Sequence, residues 1–160
     1  MKQIFSVFNL GLILFTAYLV QYFIPVKWDW LLNLQEHHQM YKRWSGLAVF
    51  LLIVFQWVLT ITRVVKSLRK YSVTLTNTHK WIGALSPILF YIHVMNFGFG
   101  YLALLSYLFF ANMLLGIVNL DVIKSKKEWV FQSWMITHVA FSVIITFIAV
   151  FHIGVVFYYK

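Results

Sequence analysis

The chain has 160 residues, of which 62% are hydrophobic, 20% aromatic and only 11% charged. A soluble domain has about 25% charged residues, so this composition cannot cover a water-facing surface and places the chain in a lipid bilayer. With no cysteine, disulfide scaffolds, thiolate metal sites and dithiol redox centres are excluded. Thirteen Lys and Arg against four Asp and Glu give a net charge of +9. In so apolar a chain this charge belongs beside lipid headgroups rather than on nucleic acid.

Stretches of about 20 apolar residues, the length of a membrane crossing, predict an all-helical bundle of five spans in one domain, 1–160. The first is expected over 4–24, ending at Pro25. Its apolar run is too long for a signal peptide and no small-residue cleavage site follows, so it reads as a retained helix. The second spans 44–62, from Trp44 to Thr62. Between them, 25–43 holds Trp28, Trp30, Leu31, Leu32 and Leu34, the makings of an amphipathic segment along the outer interface. The third span is expected over 78–97, the fourth over 101–120 after a tight Gly98-Phe99-Gly100 turn, and the fifth over 129–159. The fifth is longer than a bilayer requires and should tilt or protrude.

Five spans place the N-terminus and the 63–80 and 121–128 loops on one side. That side holds Lys2, Arg63, Lys66, Arg69, Lys70, Lys80, Lys124, Lys126 and Lys127, against Lys27, Lys42, Arg43 and Lys160 opposite. The excess of positive charge orients the N-terminus towards the cytoplasm and predicts a multi-pass protein of the cell (plasma or inner) membrane.

Four of the six histidines fall in predicted spans: His79 and His93 in the third, His138 and His152 in the fifth. Each pair is separated by fourteen positions (93 − 79 and 152 − 138). Fourteen residues sweep about 1400°, roughly 40° short of four turns, and rise about 21 Å. Both histidines of a helix therefore share a face. The two spans run parallel, so His79 is level with His138 near the cytoplasmic side and His93 with His152 near the outer side. Two opposed imidazoles at each of two depths are what two bis-histidine haems require, and a histidine in a membrane span is already a mark of function. The competing reading is four unrelated hydrogen-bonding side chains in a haem-free membrane subunit that scaffolds a larger assembly. A carboxylate-bridged metal centre is excluded because Asp29, Glu36, Asp121 and Glu128 all lie outside the spans. The same absence argues against ion-coupled transport, which places charges along its path.

The segments T-H-K-W-I-G-A-L-S-P-I-L-F-Y-I-H and W-M-I-T-H-V-A-F-S-V-I-I-T-F-I-A-V-F-H resemble the haem-bearing helices of the transmembrane domain shared by ferric reductases and NADPH oxidases. The haem subunit of a bacterial methionine sulfoxide reductase belongs to the same group. The resemblance covers mainly 44–159 and rests on the four histidines. It implies two b-type haems, His79 with His138 holding the inner and His93 with His152 the outer. The family usually adds a sixth helix, then a flavin- and nicotinamide-binding domain. This chain has neither the G-x-G-x-x-G fingerprint nor the family's His-Pro-Phe-Thr motif, so an electron donor must be a partner, either a quinol or a cytoplasmic flavoprotein. Cytochrome b of quinol-oxidising complexes shares the ligand spacing, but its Pro-Glu-Trp-Tyr motif is missing.

Around these histidines, Pro87 removes a hydrogen bond to the Gly83 carbonyl and should kink its helix. Gly83, Gly116 and Gly154 are candidates for making room for a macrocycle or for close helix packing. Phe90, Phe141 and Phe147 are candidates to fill the space between the two levels. Trp81 and Trp134 read as interfacial anchors. Anionic propionates would call on Arg63 and Lys80 at the inner level and on Arg43 or Lys42 at the outer, residues that orientation alone also explains. His37 and His38 read as an exposed interfacial pair. The expected activity is that of a haem-carrying electron-transfer subunit of an oxidoreductase system.

Overall fold

The computed structural model describes residues 2–24, 26, 28–118, 124, 125 and 127–159, without the side chains of 2–6 and 63; among these there is no strand. Helix α1 is Lys2–Phe23, α2 Asp29–His37, α3 Gln39–Gln56 and α4 Val58–Val64. A 3-10 turn, Lys66–Tyr71, leads into α5, Ser72–His93, and then follow α6, Tyr101–Ile117, and α7, Glu128–Tyr158.

Among the described residues two helical stretches, rather than the five expected, are long and apolar enough to cross a membrane, Gln39–Thr62 and Glu128–Tyr158. Only 6% and 11% of their most apolar windows are buried, the reverse of a soluble protein's core helix, which is apolar because it is enclosed. The described part of α1 and the whole of α6 are shorter apolar helices, Val7–Phe23 and Tyr101–Ile117. Helix α5 has 22 residues, but Thr74, Thr76, Asn77, Thr78, His79 and Lys80 make its first half polar.

The second predicted span is extended at its start and interrupted near its end. The Trp57 amide bonds the carbonyl three residues back, Val54, at 3.0 Å, and the ladder resumes as Ile61 N donates to Trp57 O at 3.2 Å. The third predicted span, 78–97, is displaced: α5 starts six residues earlier and stops at His93. The early start is sustained by the threonines, whose hydroxyls bond back into the helix, Thr76 Oγ1 to Ser72 O at 2.8 Å and Thr78 Oγ1 to Thr74 O at 3.0 Å. Within α5, Pro87 has no N–H to give the Gly83 carbonyl, and Ser86 Oγ donates to that carbonyl at 2.7 Å instead.

The stop at His93 comes from α2. Gln35, buried on the inward face of α2 beside Leu31, donates Nε2 to the carbonyls of Tyr91 (2.8 Å) and Ile92 (3.0 Å). Its Oε1 accepts from Met95 N at 3.2 Å, and Tyr41 OH donates to Ile92 O at 2.8 Å. One amide therefore satisfies carbonyls that the last turn of a helix leaves without intrahelical donors. The chain then reverses through Gly98 and Gly100, both at positive φ (74° and 58°), where only glycine is unstrained.

Tyr18, Phe90, Phe97, Phe109, Phe110, Met113 and Ile117 form the apolar core, joining α1, α5, α6 and the 94–100 connection. Helix α5 is central, packed on α1, α3, α4 and α6. Helices α3 and α6 each pack also against α7, whereas α5 and α7 make at most marginal backbone contact. The two histidine-bearing helices thus face each other across a slot walled by α3 on one side and α6 on the other.

Candidate functional site

Two clefts lie one above the other in this slot. The inner one, about 210 Å³, is lined by His79, Lys80 and Gly83 of α5, His138 and Trp134 of α7, Asn112 and Gly116 of α6, and Gln56 of α3. The His79 and His138 rings have centroids 6.1 Å apart with planes at 76°. Trp134 lies one turn before His138 and stacks parallel to it, centroids 5.7 Å apart and planes at 3°, while its Nε1 donates to Leu115 O at 2.8 Å. This tryptophan, expected at the interface, is thus tied to α6 and supports the imidazole. A side-chain carbon on Gly116 would lie 3.3 Å from His138 Cε1, so the glycine lets α6 approach the ring.

The outer cleft, about 380 Å³, is lined by His93 and His152 together with Gly46, Phe90, Asn96, Lys42 and Arg43. Ser45 Oγ lies 3.1 Å from His93 Nδ1, and Tyr101 OH lies 3.4 Å from His152 Nδ1. Gly46 is the tightest point: a carbon added there would come within 2.9 Å of His93 Cε1. Arg43 places its guanidinium 5.4 Å from the centre of the Phe157 ring, and Lys42 Nζ donates to Glu36 O at 3.0 Å.

Ile53 and Phe109 line both clefts and form the partition between them. Of the phenylalanines expected there, Phe90 is buried against the outer cleft. Phe147 is 73% exposed and Phe141 borders neither cleft. Period alone cannot distinguish a partition residue from a lipid-facing one when sixteen phenylalanines are available. Trp81 and Gly154 also border neither cleft; open space surrounds Gly154. His37 and His38 are exposed and line neither cleft. The side chain of Arg63 lies outside the described residues, as do Asp121 and Lys126. Gly46, Ser45, Tyr101, Trp134, Ile53 and Phe109 are contributions of packing, and no spacing rule in the sequence marks them.

The fit to a metal-bearing macrocycle can be tested on this geometry. Among the described residues no three His, Asp or Glu side chains converge, so each level offers two imidazoles and no more. That is too few for a bare metal ion, which takes four or more ligands, and correct for a macrocycle that brings its own in-plane nitrogens. At the inner level the two imidazoles that would hold such a group have ring centroids 6.1 Å apart. Gln56 Oε1, Asn112 Oδ1 and His138 Nδ1 are buried without hydrogen-bond partners and all three residues line the inner cleft, which makes its wall polar beside the two imidazoles. The outer cleft falls within the range of about 300–1,000 Å³ typical of ligand pockets. The inner one is narrower, and the flexible Met113 and Met135 in its wall are the side chains suited to yield. Two imidazoles at each cleft are the protein donor set such a group would use.

No protein-family model, curated protein or solved structure matches this chain.

Proposed function

We propose that the protein is a multi-pass membrane cytochrome carrying two b-type haems, one at each histidine pair, and that it conducts electrons between a donor on one face of the membrane and an acceptor on the other. What supports this reading most is the arrangement of α5 and α7, held apart with two imidazoles facing one cleft at each of two depths. In it the chain crosses the plasma or inner membrane five times, N-terminus in the cytoplasm. The outward-facing Trp44, Leu51, Phe147, Val150 and Phe151, all more than half exposed, meet lipid.

The bound haem supplies one-electron chemistry; the chain supplies position and environment. His79 and His138 would grip the inner group and His93 and His152 the outer. Two protein ligands leave no open coordination position, so a substrate would exchange electrons at the edge of the site. Ile53 and Phe109 exclude water between the levels. Lys80, which lines the inner cleft, and Arg43 and Lys42, which line the outer, would receive the propionates. Lacking a nucleotide-binding fingerprint, the chain takes its electrons from a partner, a quinol or a cytoplasmic flavoprotein, within an oxidoreductase assembly.

Purified protein should give a reduced-minus-oxidised spectrum of low-spin haem and a pyridine haemochrome count of two per chain. An intact but colourless preparation overturns the reading in favour of a haem-free scaffold subunit.

A further inference from the structure

The hydrogen bonds of Ser45 decide which nitrogen His93 turns towards the cleft. A serine hydroxyl has one proton. Ser45 Oγ lies 2.8 Å from Tyr41 O and 3.3 Å from Lys42 O, carbonyls of its own helix that can only accept. With that proton on the shortest of its contacts, Tyr41 O, the oxygen offers His93 Nδ1, 3.1 Å away, a lone pair. The bond forms if Nδ1 carries the ring proton, and a neutral imidazole has just one, so Nε2 is left bare. Gly46, the next residue, packs on Cε1 of the same ring and holds it in place. His152 and His138 are not fixed in this way. Tyr101 OH, at 3.4 Å from His152 Nδ1, is a longer contact from a hydroxyl free to act in either sense, and His138 Nδ1 is buried without a hydrogen-bond partner.

We propose that Ser45 is a positioning residue that locks His93 in the Nδ1–H tautomer, presents Nε2 as the ligand nitrogen, and lowers the reduction potential of the outer centre. This rests on the haem reading above. Accepting the Nδ1 proton raises the basicity of the ligating nitrogen and favours the oxidised metal.

Redox titration of the purified holoprotein, followed by haem absorbance, compares wild type with Ser45→Ala, Ser45→Thr and Ser45→Cys. In Ser45→Ala the outer couple should move in favour of the reduced form by about tenfold, the low end of the effect of losing such a partner, which is about 59 mV for one electron. The inner couple should stay in place. Ser45→Thr, which keeps the hydroxyl, should restore the wild-type value, and Ser45→Cys, a weaker acceptor, should fall between. Unchanged couples, or equal movement of both, overturn the proposal while leaving the haem reading standing. Imidazole nitrogen NMR of histidine-labelled, haem-free protein provides the independent readout: His93 should be protonated at Nδ1 in wild type and a tautomer mixture in Ser45→Ala. Identical spectra overturn the role of Ser45. Wild-type protein without haem signals would instead be the failure of the function proposed above.

Discussion

The two clefts hold the same pair of side chains by different means. At the inner level both histidines sit inside long helices, His79 in the eighth position of α5 and His138 in the eleventh of α7. Their depth is fixed by helical rise, and the orientation of His138 by neighbours on α6 and α7: Gly116 against the ring edge and Trp134 against its face. At the outer level His93 is the last residue of α5. Nothing in α5 itself determines that the helix should reach that far and stop. The stop is imposed by Gln35 and Tyr41, from α2 and the start of α3, and the ring is then engaged by Ser45 and Gly46 of α3. The inner pair is a product of periodicity, the outer pair of docking, so the outer level should be the easier to disturb from a distance.

The sharpest test of this contrast removes one of the proposed haem ligands at each level. His138→Ala should abolish the inner haem, halving the haemochrome count, while the outer couple survives; His93→Ala should do the converse. Simultaneous loss of both groups in either variant would mean that the levels are not independent. Next in size is Gly46→Val. Its first side-chain carbon would already lie 2.9 Å from His93 Cε1, with α3 packed against α5 behind it. Overpacking of this kind costs about 1–3 kcal/mol, and here the ring is what must move. The expected result is loss of the outer haem alone, read from the same spectra.

Much of the inner level could be anticipated from the sequence, because a fourteen-residue separation on an apolar helix fixes a face and a height whatever the surroundings. The helix expected over 129–159 occupies Glu128–Tyr158, since nothing in that stretch interrupts it. The helix expected over 78–97 occupies Ser72–His93. Hydropathy misplaced it at both ends for one reason: it measures transfer to lipid and is blind to hydrogen bonds. Threonines that bond back to their own helix look like loop residues at the start, and apolar Met95 and Phe97 look like helix at the finish. Gln35 is the extreme case. A lone glutamine in an interfacial segment has no periodic signature, yet its three bonds end the helix that carries His93.

Gln35→Leu is therefore the prediction of intermediate size. It keeps approximate volume and removes the amide, so Met95 N and the Tyr91 carbonyl lose the bonds it supplied while Ile92 O retains Tyr41. Buried groups left unsatisfied cost about 1–3 kcal/mol each. The variant should unfold at lower temperature in detergent and release the outer haem before the inner. Loss of the inner haem first would invert the contrast drawn between the levels.

The smallest effect is expected at Trp134. Trp134→Phe deletes the 2.8 Å bond to Leu115 O and keeps an aromatic face on His138. A single neutral hydrogen bond contributes about 0.5–1.5 kcal/mol, and the freed carbonyl belongs to the last turn of α6, where its own helix supplies no donor. If the inner pair is set by helical geometry, as its mid-helix position argues, haem content and the outer couple should be unchanged and only thermal stability should fall. If Trp134→Phe instead empties the inner cleft, then the α6–α7 bond rather than the periodicity of α5 and α7 holds His138 at its angle. The inner level would then be as dependent on docking as the outer one.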